Sequence, residues 1–525
     1  MNWVSHTTTY LKGNAMGSLR LRLTIAWMIF VPCFPVAKAE EARRQKFLFV
    51  DNHAVAKGDG VHRVWNSAEK ANGAQPVRFW QRDPQGNRVP LKAAIYASAI
   101  YDESRSIFQI WCRVFPGLQP GKALEGTEAH KFMRYGYCES RDGIDFDLIS
   151  ELKGLYSNGD YNIVVTLDPR ATDPRHRYKA GYDGARPGLP NGACLAHSAD
   201  GIEWTPYHEG KPVTGRAADF TNCLIWDEPA GLYRLFTRTD YGSGGGPGEV
   251  RGMRMMTNTD FENSPAAWTT VREWKLDREG ADEHKRRQIY TMTDWQYGGL
   301  HFGLFSIYEW PNDFSEGQTT DHVKRHERDV VNTYLATSRD AVNWDLAAIY
   351  TEQPLVKRGG DNAWDKDMVF PSSWIITRDQ EHWIYYGGAN ERHGVAEIFQ
   401  PKRDMAIGLA KLPLDRFAGL RATDKPGTIV TKPFKLTAPE IILNADARDG
   451  EISIELLDAD GQPIAQLSGT NAAVLRNMNE MKWRANWNSP ELKRRIGQTA
   501  QLRFRLQNAT LYAVQIAEGT ADKRS

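Results

Sequence analysis

The chain has 525 residues with 66 basic and 65 acidic side chains, so its net charge is close to zero. That balance excludes the strongly basic surface on which nucleic-acid binding or attachment to an anionic membrane depends. Its length leaves room for a large core and more than one domain. The 17 Trp residues either fill hairpin corners or offer flat faces to sugar rings.

The N-terminal stretch carries Arg20 and Arg22, an apolar run from Leu23 to Pro35, and Ala37-Lys38-Ala39. This is the pattern of a secretory leader cut at a small-residue site, with residues 1–39 removed and the mature protein exported to the periplasm or beyond. Met16 is an alternative start. The apolar run is shorter than the roughly 20 residues that a spanning helix requires, and no later run approaches that length. An oxidising compartment permits disulfides among Cys112, Cys138, Cys194 and Cys223. Their spacing fits no zinc pattern, and their pairing is left open.

From Phe47 to about Ala422, short strand-like runs alternate with clusters of Gly, Pro, Asp and Asn. Strands are expected at Phe47–Val50, Ala94–Tyr101, Ile107–Val114, Tyr161–Leu167, Leu232–Arg238, Gly299–Tyr308, Trp374–Thr377 and Trp383–Gly387. One turn signature recurs along this region: S-R-D-G-I-D-F from Ser140, S-A-D-G-I-E-W from Ser198 and S-R-D-A-V-N-W from Ser338, with a weaker echo from Thr257 that ends late, at Trp268. Recurrence at roughly 60 to 80 residues marks a repeated supersecondary unit. The fold expected is all-β: a five-bladed β-propeller over residues 45–425, a connector at Pro426–Pro433, and a small antiparallel β-sandwich over residues 433–518.

A propeller gathers side chains from distant positions around one axis, and cleavage of a glycosidic bond requires one protonated and one ionised carboxyl. The candidate catalytic acids are therefore those at strand ends: Asp51 after Phe47–Val50, Asp219 before Cys223–Trp226, Glu309 beside Trp310, and Asp365 before Met368–Phe370. Candidate substrate-binding residues are Asp168, Arg177, Lys179, Arg238, Trp364, Tyr386 and His393. Strand alternation puts Arg177 and Lys179 on one face, where their charge calls for an anion: a ligand group, Asp168 or Asp173. No cofactor is expected. A structural Ca²⁺ would suit a propeller axis, but the sequence holds no ligand motif for one.

The S-x-D-G-x-x-W repeats, Asp168-Pro169 with Arg177-Tyr178-Lys179, Trp364-Asp365 and Tyr385-Tyr386-Gly387-Gly388 together resemble secreted bacterial proteins of the five-bladed propeller glycosidase superfamily. The likeness is to proteins similar to glycoside hydrolase family 32, kin of families 43 and 68. It implies an acid triad in a central funnel and a carbohydrate substrate. On it, Asp51 takes the nucleophile or base role, Asp219 the pKa-tuning role and Glu309 the acid role, with Asp365 as rival. The N-D-P-N-G motif of invertases is absent: Asp51-Asn52-His53 stands there instead. The leading expectation is an exported glycoside hydrolase acting on a carbohydrate that is acidic or sulfated, given Arg177, Lys179 and Arg238. The alternatives are a non-catalytic glycan-binding or surface-assembly propeller and a glycoside phosphorylase. Oligomeric state is left open.

Overall fold

The structure, a computed structural model, describes residues 45–118, 120, 132–156, 162–215, 221–241, 250–276, 287–309, 329–392 and 404–518. The leader expected at residues 1–39 lies outside them. Among the described residues no helix is long and apolar enough to cross a membrane. The chain is nearly all β, as its runs of Val, Ile, Tyr, Phe and Trp between turn formers predict.

Most strands form five four-stranded antiparallel meanders. The first is Arg88–Asp102, Ile107–Phe115, Arg134–Ser140 and Asp145–Glu151, rolled shut by Arg78–Arg82, which pairs with both outer members. The second is Val164–Leu167, Tyr178–Gly184, Gly192–Ser198 and Trp204–Pro206, and the third is Cys223–Asp227, Leu232–Tyr241, Val250–Asn258 and Thr269–Trp274. The fourth is Arg287–Tyr297, Leu300–Glu309, Val330–Ser338 and Trp344–Asp345. The fifth is Met368–Pro371, Glu381–Ala389 and Met405–Pro413, and its outer strand is Glu69–Lys70 from the other end of the chain. Neighbouring meanders touch in a closed cycle, the fifth against the first. This is the radial architecture of a β-propeller.

The recurring signature is the corner between the third and fourth strands. Ser140, Ser198 and Ser338 each donate a hydroxyl to the Asp two residues on, at 2.9, 3.0 and 3.0 Å. That carboxylate then accepts the next two strand-opening N–H groups, as Asp200 does from Ile202 and Glu203. In the echo, Asn258 stands in for the serine and accepts from the Asp260 N–H. The fifth meander has no such corner, because its fourth strand is supplied by Glu69–Lys70 and no segment runs from third to fourth. The residue after the Asp turns left-handed at Gly143 (φ 75), Gly201 (φ 77) and Ala341 (φ 58).

The second unit of structure is a ten-stranded sheet that curls into a sandwich around Phe49, Ile429, Ile441, Ile454, Leu502 and Phe504. Its long strand Glu440–Leu457 pairs with Ala509–Ala517 along its first half and Thr499–Gln507 along its second, and so joins both layers. Two expected boundaries are corrected here. The opening strand belongs to this sheet, not to a first blade: Gln45–Leu48 pairs with Ala509–Ala517, and Phe47 packs on Phe434. The segment read as a connector contains a strand, Gly427–Thr431, paired with Thr499–Gln507 and Val55–Asp59. The alternation Ile429 in, Val430 out, Thr431 in is strand patterning that the flanking prolines disguise.

Ala341 holds a conformation that costs an L-residue about 1 kcal/mol and glycine far less. Ala341→Gly should therefore raise stability by about 0.5–1 kcal/mol, seen as a higher urea midpoint; an unchanged or lower midpoint contradicts the corner's role.

Candidate functional site

The first strands of the meanders all begin at one end of the ring and finish at the other. Contacts define both ends. At the end where they begin, Arg113 donates to Asn162 Oδ1 at 2.7 Å and the Arg251 N–H to Gln288 Oε1 at 3.1 Å. At the end where they finish, Arg177 meets Asp102, and Trp374 donates its indole N–H across the axis to the Val165 carbonyl at 2.5 Å. Trp374 packs there against the cores of two meander groups, and Ser373 bonds Ser98. The finishing end is thereby crossed by side chains from three meanders.

The expected site residues divide between these ends. Asp168 and Lys179 lie at the finishing end and are buried, their charged atoms 2.5 Å apart; Lys179 also reaches Glu262 at 2.7 Å, and Tyr233 donates to Asp168 at 2.6 Å. Arg177 pairs with Asp102 at 3.1 Å. The anions beside these cations are thus protein carboxylates. Asp51 is corrected in the same way. It sits beside the sandwich and accepts from Arg339, the corner residue of the fourth meander, at 2.9 and 3.2 Å.

Asp365 is 1% exposed, bonded to Lys70 at 2.6 Å and to the Tyr386 hydroxyl at 2.9 Å. Trp364 stacks on Tyr386 and donates to the Ala74 carbonyl. These three expected site residues hold the borrowed strand Glu69–Lys70 in place. Gly388 leaves room for the clamp, since a Cβ there would meet Asp365 and Trp364 at 2.6 Å. Glu309 does lie at the beginning end, but its buried carboxylate accepts from Arg287 at 2.8 Å, from the Tyr334 hydroxyl at 2.8 Å and from the Asn332 amide. The expected acid is thus held in an ion pair with Arg287 and bonded to two further side chains. Asp219, Trp310 and His393 lie outside the described residues or, for His393, beyond the last described residue of its segment. Arg238 lies at the beginning end and donates to Asp240 at 2.8 Å.

Further acids lie with Glu309 at the beginning end. The second strand of each of four meanders ends within two residues of an acid: Asp183, Asp240, Glu309 and, after Glu381–Ala389, Glu391. In the first meander that place is taken by Arg113. Asp183 is buried and Asp240 nearly so. Below them, Tyr96, Tyr290, Tyr308 and Phe370 fill the axis, with Tyr290 and Tyr308 centroids 4.4 Å apart and the Tyr96 and Tyr290 hydroxyls hydrogen-bonded. Burial pushes the Tyr96 phenol well above its ordinary pKa, so its hydroxyl stays protonated. The sequence signal is an acid beside an aromatic or glycine at the close of a second strand, Tyr182-Asp183-Gly184 and Asp240-Tyr241. Acids at other strand ends carry the same local appearance, and the sequence does not separate the two. Among the described residues no group of His, Cys, Asp and Glu is arranged to hold a metal ion.

No family model matches the sequence, and a search of curated proteins found no match. Solved structures are similar in fold at low identity. An N-acetylgalactosamine deacetylase from F. plautii is 14% identical with a TM-score of 0.41, over 67% of this chain and 97% of that one. An arabinoxylan arabinofuranohydrolase from Bacillus subtilis is 9% identical with a TM-score of 0.38, over 85% and 98%. A β-1,2-mannobiose phosphorylase from Listeria innocua is 10% identical with a TM-score of 0.42, over 68% and 98%. Architectures of this kind host many reactions.

Removing one partner of a buried ion pair leaves the other charge stranded. Asp365→Ala should lower stability by about 3 kcal/mol, read from the urea midpoint; a midpoint equal to the wild type returns Asp365 to the catalytic candidates.

Proposed function

We propose that the protein is a glycan-acting enzyme that hydrolyses a glycosidic bond at the end of the ring where the first strands begin. The observation that carries this reading is the arrival of Asp183 and Asp240, from two adjacent meanders, at that one end. Five meanders in one cycle are read as five blades, and the leader motif at residues 1–39 supports export.

Two carboxyls in different settings can divide the work. Asp240, paired with Arg238, is assigned to activate water or attack the anomeric carbon. Asp183 is buried and lies opposite the buried Ala193. Asp183 is assigned to deliver the proton to the leaving oxygen.

A second reading has its own support. Among the described residues Asp51, Glu309 and Asp365 are each held in a separate structural ion pair, as in a propeller that binds glycans without cleaving them. A glycan panel separates the two. Turnover by the wild type, lost by about 100-fold or more in Asp183→Asn and Asp240→Asn with melting temperatures retained, supports the enzyme. Binding without turnover by the wild type supports the second reading. Turnover untouched by both substitutions overturns the assignment of these acids.

A further inference from the structure

The seam between the third and fourth meanders holds a set of ionisable groups that the proposed site does not use. His301, near the start of Leu300–Glu309, bonds through Nδ1 to Asp294 Oδ2 at 2.8 Å. Asp294 lies near the finish of the neighbouring strand Arg287–Tyr297. The other ring nitrogen, Nε2, lies 3.7 Å from Oδ2 of Asp227, which closes the first strand of the third meander. Asp227 is paired with Arg234 of its own meander at 2.6 Å. All four side chains are buried, Asp294 completely. His301 is the one hydrogen-bond partner of the Asp294 carboxyl among the described residues, and Asp294 Oδ1 has none. Gln296 and Ser338, opposite His301 in its own sheet, carry no charge. Cys223, beside Asp294, is kept a neutral thiol by burial.

Arg234 offsets Asp227, so Asp294 is offset by His301 or not at all. A buried carboxylate without a counter-charge is costly, and one proton is therefore held between His301 and Asp294. Burial acts against a charged imidazole, but the bond to Asp294 and the charges of Asp294 and Asp227 outweigh it and raise the His301 pKa. Burial also raises the Asp294 carboxyl, against the pull of His301. The folded pair thus keeps its proton to a higher pH than the unfolded chain, where histidine releases it near ~6.5. Stability from the pair is full below that value and is lost as pH rises through the folded-state pKa of His301. Burial lowers the pKa of His197 and His382, so their contribution is lost on the acid side of ~6.5 instead. A neutral His301 that still donates from Nδ1 to Asp294 turns a lone pair toward the Asp227 carboxylate.

We propose that His301 is a proton-operated latch: charged, it bridges Asp294 of the fourth meander and Asp227 of the third, and on losing its proton it releases the seam at the finishing end. The Gln296 amide, which donates to the Trp226 carbonyl at 2.8 Å, and the apolar contacts of Phe236, Met292 and Phe305 also cross this seam and do not titrate. Release therefore loosens one edge of the ring without opening it. The latch is independent of the reaction proposed at the opposite end.

The test reads the urea midpoint of the full chain between pH ~5.5 and ~9. The wild-type midpoint is expected to fall above pH ~6.5. His301→Gln keeps an amide donor for Asp294 but carries no titrating proton. Its midpoint should lie below the wild type in mild acid, and the gap should close as pH rises. Asp294→Asn removes the anion that holds the proton and should close its gap in the same way, so either variant suffices if the other does not fold. NMR of the histidine-labelled chain adds a direct readout, with the His301 resonance identified by its loss in His301→Gln. That resonance should titrate above ~6.5 in the wild type and lower in Asp294→Asn. A wild-type midpoint that is flat or rises over this range, a gap that stays constant with pH, or a His301 resonance titrating at or below ~6.5 overturns the latch.

Discussion

The structure depends on closing a ring with a strand that is remote in sequence. The fifth meander supplies only three of its own strands, and Glu69–Lys70 completes it. Two residues do not hold a seam by backbone hydrogen bonds alone. The buried carboxylate of Asp365 takes the Lys70 ammonium, Tyr386 bonds the same carboxylate, and Trp364 covers the joint. Burying that charge is tolerable only because both partners and the hydroxyl are present. On the inner side, Trp374 and Ser373 reach from the fifth meander to the second and first. Without these ties the meanders would be an open array whose ends have no reason to face one axis.

Ring closure also separates the two faces. The corners with Asp142, Asp200 and Asp340, the Lys179 network and the packing of the sandwich all lie where the first strands finish. Ion pairs there are structural: Asp51 with Arg339, Asp168 with Lys179, and Lys46 with Asp415 at 3.1 Å. The opposite face gathers second-strand ends from every meander, and these carry Arg113, Asp183, Asp240 and Glu309. Ion pairs fasten this face too, Glu309 to Arg287 and Asp240 to Arg238.

Much of the fold was legible in the residues. The Ser-x-Asp corners are read from local chemistry, because the Asp and Ser bond their own backbone neighbours and need no distant partner to do so. Strands such as Ile107–Phe115 show in their apolar runs. The borrowed strand was not legible: Glu69–Lys70 has no strand pattern, and its partner Met405–Pro413 is over 300 residues away. The site suffered from the same blindness. Asp51 and Asp365 have the local appearance of strand-end catalytic acids, and only the fold reveals Arg339 and Lys70 beside them. Asp183 and Asp240 escape a reading of the residues because the sequence does not state which strand of a meander ends at which face.

The assignment of function to one face is best tested by hydrogen exchange with and without a bound oligosaccharide. The account predicts slower exchange at the second-strand ends near Arg113, Asp183, Asp240 and Glu309 and around Arg251, with the Arg177–Lys179 region unchanged. Protection centred on Asp168, Arg177 and Lys179, with none at the second-strand ends, would contradict it.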